Sequence, residues 1–295
     1  MSEGVTIEAR ETLLTRRAVD YLAAGPADAR TLIAHVCQLP SMPPAVAEHM
    51  AIALFAGQRR FVREPDGRWG LARSDVEFPV LDALCGMSFA VVDVEATGGR
   101  TRGAGDRITE VAVVEVKEGR ATTVFDTLIN PERAIPPWVS RLTNISWEMV
   151  QSAPVFAEVC DQLLGVLDGR VFVAHNANFD WRMLSMEIER ATGRTLAGRR
   201  LCTVKLAKKI LPSLRRRSLD YVAMHYGVEI TRRHRAGGDA YATAQVFLRL
   251  MDEARREGCA TWHDLQRLLI APVPARRRTR RPPAMPRPVD KDTTA

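Results

Sequence analysis

Between the glycines at 86 and 98 runs Phe89-Ala-Val-Val-Asp-Val-Glu-Ala-Thr-Gly98, apolar and β-branched except for two carboxylates two positions apart. Four apolar residues in succession, flanked by turn-forming glycines, predict a buried strand. Successive side chains of a strand point to opposite faces, so Asp93 and Glu95 point the same way. Two like charges side by side at the end of a buried strand repel each other unless a proton or a cation comes between them.

The segments that follow continue a sheet. Residues 107–116 carry Ile108, Val111, Val113, Val114 and Val116, and residues 122–129 read Thr-Thr-Val-Phe-Asp-Thr-Leu-Ile. With the short turn at Glu118-Gly119, they predict three antiparallel neighbours. A second apolar strand, Val171-Phe-Val-Ala174, precedes His175-Asn-Ala-Asn-Phe-Asp180 and a helical pattern of Phe179, Met183, Leu184 and Ile188. A third motif, His234-Arg-Ala-Gly-Gly-Asp239, opens a long helix with Ala240, Ala244, Phe247, Leu248 and Met251 at helical spacing. Gly237-Gly238 suits a tight loop-to-helix junction. An isolated aspartate at a helix start usually caps it, and an isolated histidine usually lies at the surface. In combination the three motifs say more, because clustered carboxylates are what hard divalent cations require.

Taken together, these motifs over residues 87–256 resemble the DEDDh 3′→5′ exonuclease family, the group that contains the epsilon proofreading subunit of bacterial DNA polymerase III. The connecting stretches Ile129-Asn-Pro-Glu-Arg-Ala-Ile-Pro136, Leu142-Thr-Asn-Ile-Ser146, Arg200-Leu-Cys-Thr203 and Ser218-Leu-Asp-Tyr-Val-Ala223 resemble it too. The resemblance implies a ribonuclease H-like α/β exonuclease core, a mixed sheet flanked by helices. It also implies phosphodiester hydrolysis with two divalent cations, Mg²⁺ or Mn²⁺, roughly 3.5–4 Å apart. Asp93, Glu95 and Asp239 would hold the first ion. Asp93 would bridge to the second, with Asp180 assisting. His234 would be the general base on the attacking water, a role suited to histidine. Ala96, Thr97, Leu142 and Asn176 are candidates for substrate contacts. Two positions depart from the family pattern: Ala96, where threonine is frequent, and Asn144, where glycine is frequent. Neither removes a ligand. The glycine-rich insertion at 98–105 has G-x-G-like spacing but no strand-turn-helix context, so it reads as a hairpin loop.

The first 75 residues predict a separate winged-helix-like domain. Leu13, Leu14, Ala18, Tyr21 and Leu22 mark one amphipathic helix, stopped by Gly25-Pro26. Residues 27–36 mark a second, and Pro44 to Phe55 a third. A hairpin turning at Pro65-Asp-Gly67 follows. The third helix contains neither lysine nor arginine, unlike a helix built to read a groove. If this domain touches nucleic acid, the hairpin residues Arg59, Arg60, Arg63 and Arg68 are the candidates; docking to a protein is the other role open to it. Residues 76–86 form a linker, 87–258 the exonuclease domain and 259–271 a C-terminal helix.

Charge is unevenly spread. The chain of 295 residues has a formal charge of +7, of which +5 lies in residues 271–295. The segment at 272–295, with Ala275-Arg-Arg-Arg-Thr-Arg-Arg-Pro-Pro283, cannot build a core and is expected to be a disordered basic tail. It would act as a solvating segment or as a phosphate tether. Five scattered cysteines without C-x-x-C spacing argue against a disulfide framework or a zinc site. Without a signal sequence or a membrane-length apolar run, the expected location is cytoplasmic, with no membrane partner. The expected substrate is nucleic acid, as single-stranded or frayed DNA 3′ ends, in proofreading or repair beside a DNA polymerase or repair complex. Trimming of RNA is the second enzymatic reading. A scaffold without catalysis is the third, and the loss of a ligand position, not found here, would favour it.

Overall fold

The computed structural model describes residues 4–9, 12–39, 42–58, 60–72, 83–98 and 105–271. The chain begins with a short strand, β1 (Thr6–Ala9), followed by α1 (Leu13–Leu22), α2 (Ala29–Cys37) and α3 (Pro44–Phe55). Thr12 and Thr15 cap α1 reciprocally, each hydroxyl accepting the other's backbone N–H. Asp28 caps α2 by accepting the Thr31 N–H at 2.9 Å. Pro44 opens α3, where a missing N–H costs nothing. Strands β2 (Phe61–Arg63) and β3 (Trp69–Leu71) form the hairpin expected around Gly67. The rings of Phe61 and Trp69 lie 4.6 and 5.8 Å from Phe55 and close a core built on Leu32, Ile33 and Val36.

The second body is organised around a mixed sheet. Strands β4 (Phe89–Ala96), β5 (Ile108–Lys117) and β6 (Arg120–Leu128) pair antiparallel in sequence. After α4 (Pro137–Thr143), α5 (Trp147–Val150) and α6 (Phe156–Leu167), strand β7 (Val171–Ala174) joins β4 in parallel. Then come α7 (Asn178–Thr192), β8 (Arg194–Ala197) and β9 (Arg200–Cys202), the last parallel to β7. The sheet order is β6-β5-β4-β7-β9. Helices α8 (Thr203–Ile210), α9 (Leu219–Tyr226), α10 (Ala236–Arg256) and α11 (Trp262–Ile270) complete the chain.

Strand alternation divides the interior in two. Phe89 and Val91 face α10, where Phe89 meets Phe247 at 4.9 Å between ring centroids. Ala90, Val92 and Val94 face α6 and α7 through Leu163 and Leu184. Both faces of β4 are thus covered, which is why its sequence is a continuous apolar run and not an alternating one. Asp93 and Glu95 share the parity of Phe89 and Val91, so they emerge on the α10 side at the end of the strand.

Three segments depart from the sequence-based boundaries. Residues 4–9, expected in the N-terminal domain, join the sheet body: β1 pairs with β8, and Val5 is buried beside Ala90 and Val92. Gly4 is pressed against Gly169, so a Cβ there would collide with the Gly169 carbonyl group. Leu84, expected in the linker, is buried against the α10 side. Helix α11 contributes Trp262 and Leu265 to that same core, so it closes the body instead of extending from it. Residues 73–82, which span the end of the N-terminal domain and most of the linker, 99–104 of the insertion and the basic tail at 272–295 lie outside the described residues. Among the described residues, no helix is long and apolar enough to cross a membrane.

Candidate active site

Four carboxylates and an imidazole converge from three elements. Asp93 and Glu95 come half-buried from the end of β4, where a bulge between Glu95 and Ala96 breaks the register with β5. Asp180 is buried in the first turn of α7, and its Oδ1 accepts the Val94 N–H at 3.2 Å. That bond ties α7 to the backbone between the two β4 acids. Asp239 is buried in the first turn of α10, and its Oδ2 accepts the His234 N–H at 3.2 Å and a hydrogen bond from Arg233. His234, half-buried in the preceding loop, has φ +61, in the left-handed region. Ligand atoms of Glu95, His234 and Asp239 all lie within 4.8 Å of one another.

The glycines of the third motif are required by this crowding. A Cβ on Gly238 would collide with the Thr231 carbonyl oxygen, and one on Gly237 with the Asp126 carboxylate. A larger residue at 238 would force the Thr231 backbone or the start of α10, which carries Asp239, to shift, whereas at 237 the Asp126 side chain could swing aside.

The electrostatics are those of a pocket short of positive charge. Burial, then repulsion from Asp180, Glu95 and Asp239, holds the Asp93 carboxyl well above the usual carboxylate range. Glu95 is pushed up to about 8 by burial and by Asp239, Glu110 and Asp180. Asp180 is pushed up to about 7, chiefly by burial. Burial also raises Asp239, although Arg233 opposes it. The second oxygen of Asp239, Oδ1, is buried with no hydrogen-bond partner. A buried carboxylate oxygen without a hydrogen-bond partner among raised neighbours is one that a proton or a cation would satisfy, and carboxylates with one imidazole are a donor set that fits hard divalent cations.

Sequence reasoning missed the supports of this cluster. Glu110 lies directly across from Glu95 on β5 and is 3% exposed. Arg235 grips it in a two-pronged ion pair at 2.6 and 3.0 Å, and the Ala236 N–H donates to it at 2.8 Å. The pair anchors the first turn of α10 to the sheet. Glu187, 2% exposed on α7, similarly takes Arg107 at 2.7 Å and Arg190 at 2.7 Å. His175 is a structural pin: its Nε2–H donates to the Arg217 carbonyl at 2.9 Å and its Nδ1 accepts from Thr203 at 2.8 Å. Burial lowers its pKa to about 4, so it stays neutral. One feature could have flagged both Glu110 and Glu187: each is a charge set inside an otherwise apolar face.

The remaining candidates are more scattered. Ala96 and Thr97 are buried beside Glu95, and Thr97 pairs with Arg107 through its N–H at 2.8 Å and its hydroxyl at 3.0 Å, closing the base of the insertion. Asn176 is exposed with φ +74, and Leu142 is exposed on α4. Arg63 is paired with Glu48 at 2.6 Å and Arg68 with Asp66 at 2.7 Å; Arg60 sits just before β2, and Arg59 lies outside the described residues.

Comparison with known proteins adds to this geometry. The RNase_T exonuclease family model matches residues 90–247. A PolC-type DNA polymerase III of Thermotoga petrophila is 36% identical over 201 residues, which are 66% of this chain but 14% of that one. The 3′-5′ exonuclease DinG of Bacillus subtilis is 33% identical over 180 residues, 61% of this chain and 19% of its own. The DNA polymerase III subunit epsilon of Aquifex aeolicus is 31% identical over 188 residues, 63% of this chain and 92% of the subunit. The chain therefore spans a small part of the longer relatives and nearly all of the short one.

Proposed function

The chain belongs to the RNase_T exonuclease family, its match covering residues 90–247, and from that premise we propose a divalent-cation-dependent 3′→5′ exonuclease that releases nucleoside 5′-monophosphates from DNA. The observation that carries this reading is the buried, unpartnered Oδ1 of Asp239 in the midst of three other carboxylates whose pKa values are all raised. Asp93, Glu95, Asp180 and Asp239 would hold two cations, Mg²⁺ or Mn²⁺. When bound, the ions supply neutralising charge to the carboxylates and to the phosphate under attack.

The other roles belong to the chain. His234 takes a proton from the attacking water, whose oxygen bonds to phosphorus as the P–O3′ bond breaks. The departing 3′ oxygen takes a proton from solvent, His234 returns its proton to solvent, and the strand is shortened by one nucleotide. Glu110 and Arg235 position the first turn of α10, and with it Asp239, relative to Glu95. Ala96, Thr97, Leu142 and Asn176 would meet the substrate. The names of the relatives, two of them DNA polymerase III proteins, favour DNA over RNA and a proofreading or repair setting in the cytoplasm beside a polymerase. The N-terminal helices and hairpin are read as a winged-helix-like accessory unit, and the tail as a phosphate tether.

The test is mononucleotide release from labelled single-stranded DNA, duplex DNA with a mismatched 3′ end, and RNA, with Mg²⁺, Mn²⁺ or chelator. Cation-dependent release from DNA is expected. Faster release from RNA would overturn the DNA assignment, and no release from any of the three would favour a scaffold.

A further inference from the structure

Arg233, in the loop before α10, lies between two carboxylates of different kinds. Its Nε and Nη2 donate to Asp220 at 2.7 and 3.2 Å, on the exposed first turn of α9. Its Nη1 donates to Asp239 Oδ2 and lies 3.4 Å from His234 Nδ1. The Asp220 side chain is 55% exposed and that of Asp239 is 4% exposed. One end of the guanidinium therefore holds the rim and the other enters the acidic pocket.

The charge logic is specific to this residue. Arg233 is the opposing positive charge felt by Asp93, Glu95 and Asp239 alike. A guanidinium keeps its proton at any pH the protein survives, and it has no lone pair to offer a metal. It can neither ligate an ion nor become neutral beside one. The only relief open to it when a divalent cation reaches Asp239 is to move away, and Asp220 offers a second carboxylate at the rim.

We propose that Arg233 is a built-in competitor at the cation site, holding Asp239 through Nη1 until a divalent ion displaces that contact and leaves the guanidinium on Asp220 alone. The proposal rests on the cation-site reading above. It predicts that cation affinity is set partly by what the ion must expel, so the carboxylates would bind more tightly without the arginine. A purely structural arginine, pinning α9 to α10, would have no such effect.

The experiment uses the full chain and Mn²⁺ alone, with binding followed by calorimetry and melting followed with and without saturating Mn²⁺. Arg233→Gln should bind Mn²⁺ up to about fivefold more tightly than the parent, the effect of losing one partly exposed ion pair as competitor. It should also melt lower than the parent without Mn²⁺ but level with it in saturating Mn²⁺. Arg233→Lys keeps the charge on a single ammonium and should fall between the two in affinity, which provides a second measurement if the glutamine variant folds poorly. Unchanged or weaker Mn²⁺ binding in both variants would overturn the proposal. So would an equal loss of melting temperature with and without Mn²⁺. A parent protein that binds no Mn²⁺ would instead remove the cation site itself, a different result from a parent that binds and variants that do not differ.

Discussion

The N-terminal helices and the sheet body are filled with the same kinds of apolar residue, yet they differ in what else they bury. Around Leu32, Ile33, Phe55 and Trp69, the one buried polar side chain among the described N-terminal residues is Thr15. The sheet body buries Glu110, Asp180, Glu187 and Asp239. A buried carboxylate is costly unless it is paired and hydrogen-bonded. Glu110 and Glu187 meet that requirement through Arg235 and through Arg107 with Arg190. Asp180 accepts from backbone N–H groups, that of Val94 among them, and one oxygen of Asp239 has no donor. The contrast therefore exists within one body as well as between the two. Glu110 and Glu187 are gripped by arginine and backbone and tie elements together, whereas Asp239 has Arg233 on one oxygen and nothing on the other, which sets it and Asp180 apart as the acids of the proposed site.

The hardest break to that contrast is Asp93→Asn. The amide keeps the shape but removes a carboxyl whose charged form the cation-free pocket disfavours, through burial and repulsion from its acidic neighbours. Turnover should fall by about a thousandfold or more, the scale of removing a centre of transition-state charge stabilisation. The melting temperature in chelator should rise, because the apo pocket loses a repulsion. A variant that keeps near-normal turnover, or that loses stability in chelator, would mean that Asp93 belongs to the architecture and not to the site.

A second, smaller effect follows from protons. Glu95 is pushed up to about 8 and Asp180 to about 7, with Asp93 raised as well. A carboxyl whose pKa is higher in the folded protein keeps its proton longer there than in the unfolded chain. Between the ordinary carboxylate range and about pH 8, the native state therefore binds more protons, and stability falls as pH rises. In chelator the melting temperature should drop by about 5 °C or more across that window, while in Mg²⁺ it should stay nearly level. The N-terminal body should contribute nothing to this slope. Its cap residue Asp28 is shifted the other way, lowered by the Thr31 hydrogen bonds, and loses its contribution only in acid. A pH-independent melt in chelator would show that the acidic cluster is more solvated than its geometry implies.

Local pattern was enough to find the acids but not what holds them. Alternation along Phe89–Ala96 placed Asp93 and Glu95 on one face, and the Gly237-Gly238 pair pointed to the tight junction before α10. The three N-terminal helices and the hairpin were legible from spacing, caps and the Pro65-Asp-Gly67 turn. Periodicity reports which way a side chain points, not which distant residue it meets. Glu110 and Arg235 are 125 positions apart, so no window of sequence contains both. For the same reason β1 could not be assigned to β8: four residues carry no signal of an edge that forms only after the sheet is built. Arg233 was hidden among the run Arg232-Arg233-His234-Arg235, where nothing in composition separates the residue in the pocket from its neighbours.

The smallest expected effect lies in the N-terminal hairpin, where the two bodies differ in how arginine is used. In the sheet body arginines neutralise buried acids; in the hairpin Arg63 and Arg68 are paired with Glu48 and Asp66 while about half exposed. Such surface pairs contribute about 0–1 kcal/mol and must be given up before either arginine can engage a phosphate. Helix α3 offers no alternative, since it carries neither lysine nor arginine and exposes Val46 and Ile52. The double change Arg63→Ala with Arg68→Ala should accordingly leave the affinity for single-stranded DNA within about twofold. It should also flatten the slope of log K against log salt by less than about 0.7, the amount expected for one phosphate contact on a single strand. A slope flattened by about twice that value would mean that both arginines reach phosphates, and the hairpin would then be a nucleic-acid surface despite its own acids. An unchanged slope would leave the exposed apolar residues of the N-terminal body, Val46 and Ile52 on α3 together with Leu13, Leu39 and Val62, as the features to explain.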